Sequence, residues 1–324
     1  MKLIEKINRL EKLIGNTPNY QLDFQKVNLY AKLEFNSFMG SIKDRPAVYA
    51  FKKAIESGEI NESTTIVESS SGNFATGLAG VCKCLGLKFI AVVDPFITEE
   101  KEKNLSFLAH KIIKVAEKDY TGGYLLSRIE TVKRLVAKNE NYFSINQYSN
   151  PNNYGSYYNT LAIEIIRDFD RLDYLFVAVS TGGTVTGLSL RLKEQFPNLK
   201  VIAVDIEGSL AMGGIPKPRS ISGMGSSKES EFIKLGSIDH QLILSQQEII
   251  NGCNELFYEQ MIFAGGSSGA VYTAAKMMLE YELDPNSKAL IICPDRGHAY
   301  INKVYKNQEK NEISRPKKYS EIGS

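Results

Sequence analysis

Twice along this chain, short uninterrupted apolar runs alternate with stretches of helical periodicity, and this alternation restricts the fold more than any other feature. In the first set T-I-V-E (65–68) leads through a serine-rich loop into the helix N-F-A-T-G-L-A-G-V-C-K-C-L, which Gly86 stops. K-F-I-A-V-V-D (88–94), K-I-I-K-V (111–115) and a helix from Gly123 to about Lys138 complete it. The second set runs Y-L-F-V-A-V (174–179), a glycine-rich loop, a helix, K-V-I-A-V-D (200–205) and later A-L-I-I-C (289–293). Strands that are apolar on both faces must be covered on both faces. The pattern therefore predicts an α/β protein with two mostly parallel sheets, each between helices, and a cleft between the two units. At 324 residues the chain is long enough to fill two such cores. The Gly/Ser-rich segment 206–245 has no periodicity and reads as the border of a site.

The net charge of +2 leaves no basic stripe for nucleic acid and no polybasic patch for a membrane. In M-K-L-I-E-K-I-N-R-L-E-K-L-I the charges fall at helical spacing and interrupt the apolar core that a signal peptide needs. No run approaches the ~20 apolar residues of a membrane span. A cytoplasmic location is expected, where thiols stay reduced. With three histidines and no C-x-x-C spacing, no metal site is expected, and Cys82, Cys84, Cys253 and Cys293 read as buried free thiols. Cys82 and Cys84 should face different ways on their helix.

Four short stretches carry chemistry. S-S-S-G-N (69–73) sets hydroxyls, an amide and free helix N–H groups where a carboxylate or phosphate could bind, although taken alone it reads more readily as a helix cap. V-S-T-G-G-T-V-T-G (179–187) is a glycine loop between strand and helix, suited to a phosphate. Asp205, ending the next strand, also raises a dinucleotide reading, against which the glycine spacing is G-G-x-x-x-G. F-A-G-G-S-S-G-A (263–270) by itself means close backbone packing. F-M-G-S-I-K-D-R-P-A (38–47) places Lys43 between a glycine-serine turn and a helix.

Taken in order, I-G-N-T-P (14–18), G-S-I-K-D-R-P, S-S-G-N, S-T-G-G-T-V-T-G and G-G-S-S-G-A resemble the cysteine synthase family, pyridoxal-phosphate (PLP) enzymes with the tryptophan-synthase β fold (PLP fold type II). The resemblance spans residues 8 to 306. It implies that Lys43 carries PLP as a Schiff base and, once released, takes the substrate Cα proton. It also implies a phosphate cup of Thr181, Gly182, Gly183 and Thr184, and Asn73 at the ring hydroxyl. Ser70, Ser71, Asn73 and Gln147 would bind the substrate carboxylate, with Ser70 where threonine is usual. PLP would lie in the cleft between a smaller mobile domain, 41–149, and a larger one, 1–40 with 150–310, followed by a loose tail, 311–324. A homodimer acting on small amino acids is implied.

Three departures stand out. Ser37-Phe38 replaces the usual Asn-Pro, so the loop facing the substrate is reshaped. Ser180 replaces a glycine. P-D-R-G-H-A-Y (294–300) replaces P-S, which puts Asp295 where a serine meets the pyridine nitrogen, unless Asp295 turns away to pair with Arg296. Together with G-G-Y-L-L-S-R (122–128) and I-N-Q-Y (145–148), these are similar to the branch that joins phosphoserine and glutamate on the way to 2,3-diaminopropionate and siderophores. In that branch Arg128, Tyr148 and Ser180 would surround the substrate side groups; otherwise Arg128 is an exposed helix arginine and Tyr148 a packing aromatic. The alternatives are a sulfhydrylase making cysteine from O-acetylserine, a cysteine lyase releasing sulfide, a nicotinamide oxidoreductase, and a PLP-fold binding protein without activity.

Overall fold

A computed structural model of the chain describes residues 1–120, 122–282 and 284–305; the expected loose tail, 311–324, lies outside the described residues. The chain opens with α1 (Leu3–Glu11), the antiparallel pair β1 (Asn19–Gln21) and β2 (Asn28–Leu33), and α2 (Asp44–Glu56). A four-stranded parallel sheet follows, built from β3 (Thr65–Ser69), α3 (Asn73–Leu85), β4 (Lys88–Val93), α4 (Glu99–Leu108), β5 (Lys111–Lys114), α5 (Leu125–Ala137) and β6 (Tyr142–Phe143), in the order β5-β4-β3-β6. The helical run α6 (Asn152–Ser156) and α7 (Ala162–Asp168), joined by one π-type turn, leads to the second sheet. Its remaining elements are β7 (Tyr174–Ala178), α8 (Gly183–Gln195), β8 (Lys200–Ile206), β9 (His240–Leu244), α9 (Gln246–Tyr258), α10 (Gly266–Leu279) and β10 (Lys288–Cys293). The six strands run β1-β2-β10-β7-β8-β9, parallel except for β1.

Both sheets are buried on both faces, as the apolar runs require. In β7, Phe176 faces a core with Ile202, Ile291 and Val271, while Leu175 and Val177 face a second core with Leu188 and Ala162. In β3, Ile66 packs with Phe51 and Leu78, and Val67 with Val92 and Val132. Strand alternation produces this split, and helices cover each face.

Three expectations need correction. Leu3, Ile7 and Leu10, one stripe of α1, share the core of Phe51 and Leu78, so α1 belongs with the smaller sheet and not with the larger unit. An amphipathic helix goes where an apolar surface is open to it, and α2 and α3 offer one. The segment 206–245 ends in a regular edge strand, β9. Cys82, Cys253 and Cys293 are buried, but Cys84 is exposed, because two positions along a helix turn a side chain to the opposite side.

The join between the two units is ionic. Arg45, on α2, donates from Nε and Nη2 to Glu34, after β2, at 2.6 and 2.8 Å. Its Nη1 and Nη2 also reach Glu164, on α7, at 2.7 and 3.0 Å. Lys32 on β2 adds contacts to Glu164 at 3.3 Å and to the Thr17 carbonyl at 2.7 Å, and Thr17 Oγ1 donates to Glu34 at 2.5 Å. Arg45, Lys32 and Glu34 are almost wholly buried. Gly15 has φ +92°, and a Cβ there would lie 2.4 Å from Glu164 Oε1. The I-G-N-T-P turn therefore needs its glycine to admit the carboxylate.

Replacing Arg45 with methionine leaves the buried Glu34 without its cation and takes one of the two cations from half-buried Glu164. The variant should lose about 3–5 kcal/mol of stability, seen as a fall in the urea midpoint at unchanged slope.

Candidate active site

Lys43 owes its position to the end of β10. The backbone N–H of Ile42 donates to the Pro294 carbonyl at 2.9 Å, and Ser41 bridges to Asp295. The lysine is the residue just before α2. Its side chain reaches a cavity of about 880 Å³ between the two sheets. It also lines a much smaller pocket with Ser180, Thr181, Gly182, Thr184 and Ser267. Burial lowers the Lys43 amine to about 8, partly opposed by the charge of Asp295.

The candidate residues stand at the carboxyl ends of parallel strands, where open α/β sheets bind their ligands. After β3, Ser70 is buried and its Oγ accepts from the N–H groups of Gly72 and Ala75, the local cap weighed above. Ser71 Oγ donates to Asp94, after β4, at 3.2 Å and accepts from Arg128 Nη1 at 3.2 Å. Arg128 also pairs with Asp94 at 3.1 Å and is only 12% exposed, so it is no surface arginine. Its Nε is buried without a partner. Gln147 is buried, with Nε2 3.4 Å from the Ser69 carbonyl. Beneath these residues Glu68, pushed up to about 7 by burial, accepts the N–H groups of Ser69 and Asn146 and so ties β3 to the Gln147 loop.

Tyr148 lines the cavity beside Gln147, and burial pushes its phenol up to about 12. After β7, Ser180 lines both the cavity and the small pocket, its Oγ bonded to the Gly225 carbonyl at 3.2 Å. Thr181 Oγ1 accepts from Asn153. Gly183 and Thr184 form the first turn of α8, whose leading N–H groups have no partner within the helix. The substituted loop at Ser37-Phe38 turns Phe38 against the smaller core.

Asp295 does not pair with Arg296, which instead donates to Asn36 at 2.6 Å and lies over the Phe35 ring. Asp295 Oδ2 accepts from Asn73 Nδ2 and from the Tyr300 hydroxyl, each at 2.7 Å. Asn73 and Asp295, expected at different positions on one ring, thus touch each other. Asp295 Oδ1 is buried with no partner. Burial raises this carboxyl above its usual range, and the two bonds act the other way. Asp205, the acid of the dinucleotide alternative, is buried in β8 and accepts the Ile206 N–H.

Sequence reasoning missed Asp94, Ser267, Tyr300 and the basic residues Lys101, Lys118 and Arg219. Asp94 was findable, since it ends V-V-D at a strand's carboxyl end. The lysines and Arg219 carry no such signal, because only the folded loops bring them to the cavity.

The residues fit the cofactor that the motifs imply. Lys43 offers a buried amine near neutrality, the small pocket offers hydroxyls and a helix N-terminus, and Asp295 Oδ1 is a buried acceptor awaiting a donor.

Residues 10–295 match the family described as pyridoxal-phosphate dependent enzyme. The chain is 42% identical over 300 residues to N-(2-amino-2-carboxyethyl)-L-glutamate synthase from Ralstonia nicotianae, covering 91% of this chain and 88% of that protein. Among solved structures, it is similar to an O-acetylserine dependent cystathionine β-synthase from Helicobacter pylori, with 31% identity, TM-score 0.85, and 91% and 98% of the two chains covered. A hydrogen sulfide-producing enzyme from Fusobacterium nucleatum is similar too, at 29% identity and TM-score 0.82, covering 90% and 98%.

The lowered Lys43 amine has a measurable consequence. Only the neutral amine reacts with an acylating label, so in apoenzyme the labelling of Lys43 should rise through pH 8 instead of near the ordinary lysine value. Asp295→Asn should move that midpoint lower, because the carboxylate raises it. Residue-resolved mass spectrometry across the pH range reads both midpoints; a Lys43 midpoint equal to that of surface lysines would contradict the burial argument.

Proposed function

Since the chain belongs to the family of pyridoxal-phosphate dependent enzymes, we propose that it replaces the phosphate of O-phospho-L-serine with the amine of L-glutamate, giving N-(2-amino-2-carboxyethyl)-L-glutamate. The observation that carries this reading is the charge of the cavity. Lys43, Lys101, Lys118, Arg128, Lys217 and Arg219 line it, and Asp94 is the single acid among its described lining residues. Phosphoserine brings a carboxylate and a phosphate, and glutamate brings two carboxylates. Sulfide needs none of these cations. The 42% identity to the named synthase points the same way.

Lys43, Asn73, Asp295 and the Thr181–Thr184 loop would hold the cofactor. Bound there, it supplies an electron sink that acidifies the Cα–H of an amino acid and eases departure of a group from Cβ. Lys43, whose amine is lowered to about 8 and so is available in its neutral form from mildly alkaline pH, takes the Cα proton. Ser70, Ser71, Asn73 and Gln147 orient the α-carboxylate. Arg128, whose Nε is unpartnered, Tyr148, whose phenol stays protonated, and Ser180, once its hydroxyl turns from the Gly225 carbonyl, donate to the anionic side groups. In the net exchange the Cβ–O bond breaks, phosphate leaves with the electron pair, and a Cβ–N bond forms as the glutamate amine loses a proton. Asp295 Oδ1, buried without a partner, would accept from the cofactor's ring nitrogen and favour its protonated form. The nitrogen chemical shift of ring-labelled cofactor should move toward the neutral value in Asp295→Ser; an unchanged shift removes Asp295 from that role. The route to 2,3-diaminopropionate and siderophores, a cytoplasmic location, a homodimer and movement of residues 41–149 on binding belong to the same proposal and rest on the resemblance.

A second reading, sulfide or thiol chemistry on O-acetylserine, is favoured by the activities named for the structural relatives. Purified holoenzyme given phosphoserine or acetylserine, crossed with glutamate or sulfide, decides between them by mass spectrometry. The expected product is the glutamate adduct from phosphoserine; efficient cysteine formation with glutamate ignored would install the second reading. Arg128→Gln should lower kcat/KM for the glutamate reaction by roughly 10–150-fold, one hydrogen bond to a charged group, and lower any residual acetylserine–sulfide reaction far less.

A further inference from the structure

Arg219 stands in the irregular segment after β8, on the larger unit, and lines the same cavity as the Arg128 cluster of the smaller one. Arg128 is neutralised by Asp94, and Lys217 pairs with Glu207. No carboxylate among the described residues forms an ion pair with Arg219. Asp205, which acts on it electrostatically, is bonded to its own strand. The half-buried guanidinium is nevertheless held in a built seat. Nη2 donates to Ser227 Oγ at 3.1 Å. Gly225 has φ +71°, and a Cβ there would sit 2.1 Å from Arg219 Nη1, so the glycine leaves the space in which the guanidinium lies. Gly225 in turn donates to the Val179 carbonyl at 2.7 Å and accepts from Ser180 Oγ at 3.2 Å. A charge without a carboxylate partner is thus fixed to the same backbone as the substrate-facing Ser180.

Its place in the cavity suggests what it reads. Pro216, Lys217 and Pro218, beside it, are exposed, so this is the solvent side of the cavity, whereas Lys43 lies at its inner end. A nucleophile that reacts through its amine presents that amine inward, toward Lys43, and its far end toward the mouth. We infer that Arg219 is a specificity residue that binds the side-chain carboxylate of the amino-acid nucleophile; this rests on the reading of the reaction given above. A guanidinium meets a carboxylate with two parallel hydrogen bonds, which a neutral amide cannot reciprocate.

The test uses holoenzyme and the variants Arg219→Gln and Arg219→Lys, with glutamate and glutamine as competing nucleophiles. In R219Q the KM for glutamate should rise tenfold or more, the preference for glutamate over glutamine should collapse, and R219K should recover part of it. The KM for phosphoserine, and the absorbance change on adding phosphoserine without a nucleophile, should stay close to those of the unaltered enzyme. If the unaltered enzyme couples glutamate and R219Q keeps its KM and its preference, this inference falls and the reaction stands. The same holds if R219Q loses phosphoserine binding instead. If the unaltered enzyme makes no product from phosphoserine and glutamate, the reaction itself is wrong and the inference falls with it.

Discussion

The buried ion cluster around Arg45 is the constraint on which the site depends. It joins the end of β2, the start of α2 and the middle of α7 through Glu34, Arg45 and Glu164. Charges withdrawn from water are tolerable only while every partner is present and well aligned, so the cluster forms as a unit or not at all. Lys43 is two residues from Arg45. Fixing the guanidinium therefore fixes the amine, on a segment also stapled to β10 by Ile42 and Ser41. Held that way, Lys43 is buried and loses the hydration that would keep it charged.

Parallel topology does the rest of the assembly. Loops leaving β3, β4, β7, β8 and β10 all emerge toward one cleft, which gathers hydroxyls, helix N-termini and acids from distant parts of the chain. The smaller sheet contributes the Ser71–Asp94–Arg128 cluster. The larger contributes Ser180, Thr184, Asp295 and the segment that carries Arg219. A ligand spanning the cavity meets more basic than acidic side chains, and partial withdrawal from water strengthens each contact.

The relatives of known structure share this architecture closely while their names describe different reactions. Fold and cofactor chemistry are therefore common property, and the choice of leaving group and nucleophile lies in side chains around the cavity. In this chain two of the altered positions fall there: Ser180, which lines the cavity, and Asp295, which is bonded to the lining residues Asn73 and Tyr300. Phe38 is the exception, since it is turned into the smaller core.

The sequence by itself determined the layered architecture and the chemical type of the site. Continuous apolar runs have no solution in water other than burial on both faces, and the cores on either side of β3 and β7 follow from that. The motifs around Lys43, Asn73 and Thr181 are local, because a turn, a cap and a helix start are built from adjacent residues. Those same local rules could not show that α1 joins the smaller sheet, since an apolar helical stripe does not name its partner. They could not show that Asp295 would bond Asn73 and Tyr300 instead of Arg296, nor that Lys101, Lys118 and Arg219 meet in one cavity. These contacts depend on where distant loops come to rest, and a charged residue in an aperiodic segment looks the same in sequence whether it faces solvent or a substrate. Tertiary structure alone decided which charges were buried together, because the cost of removing a charge from water is set by its neighbours in space and not by those along the chain.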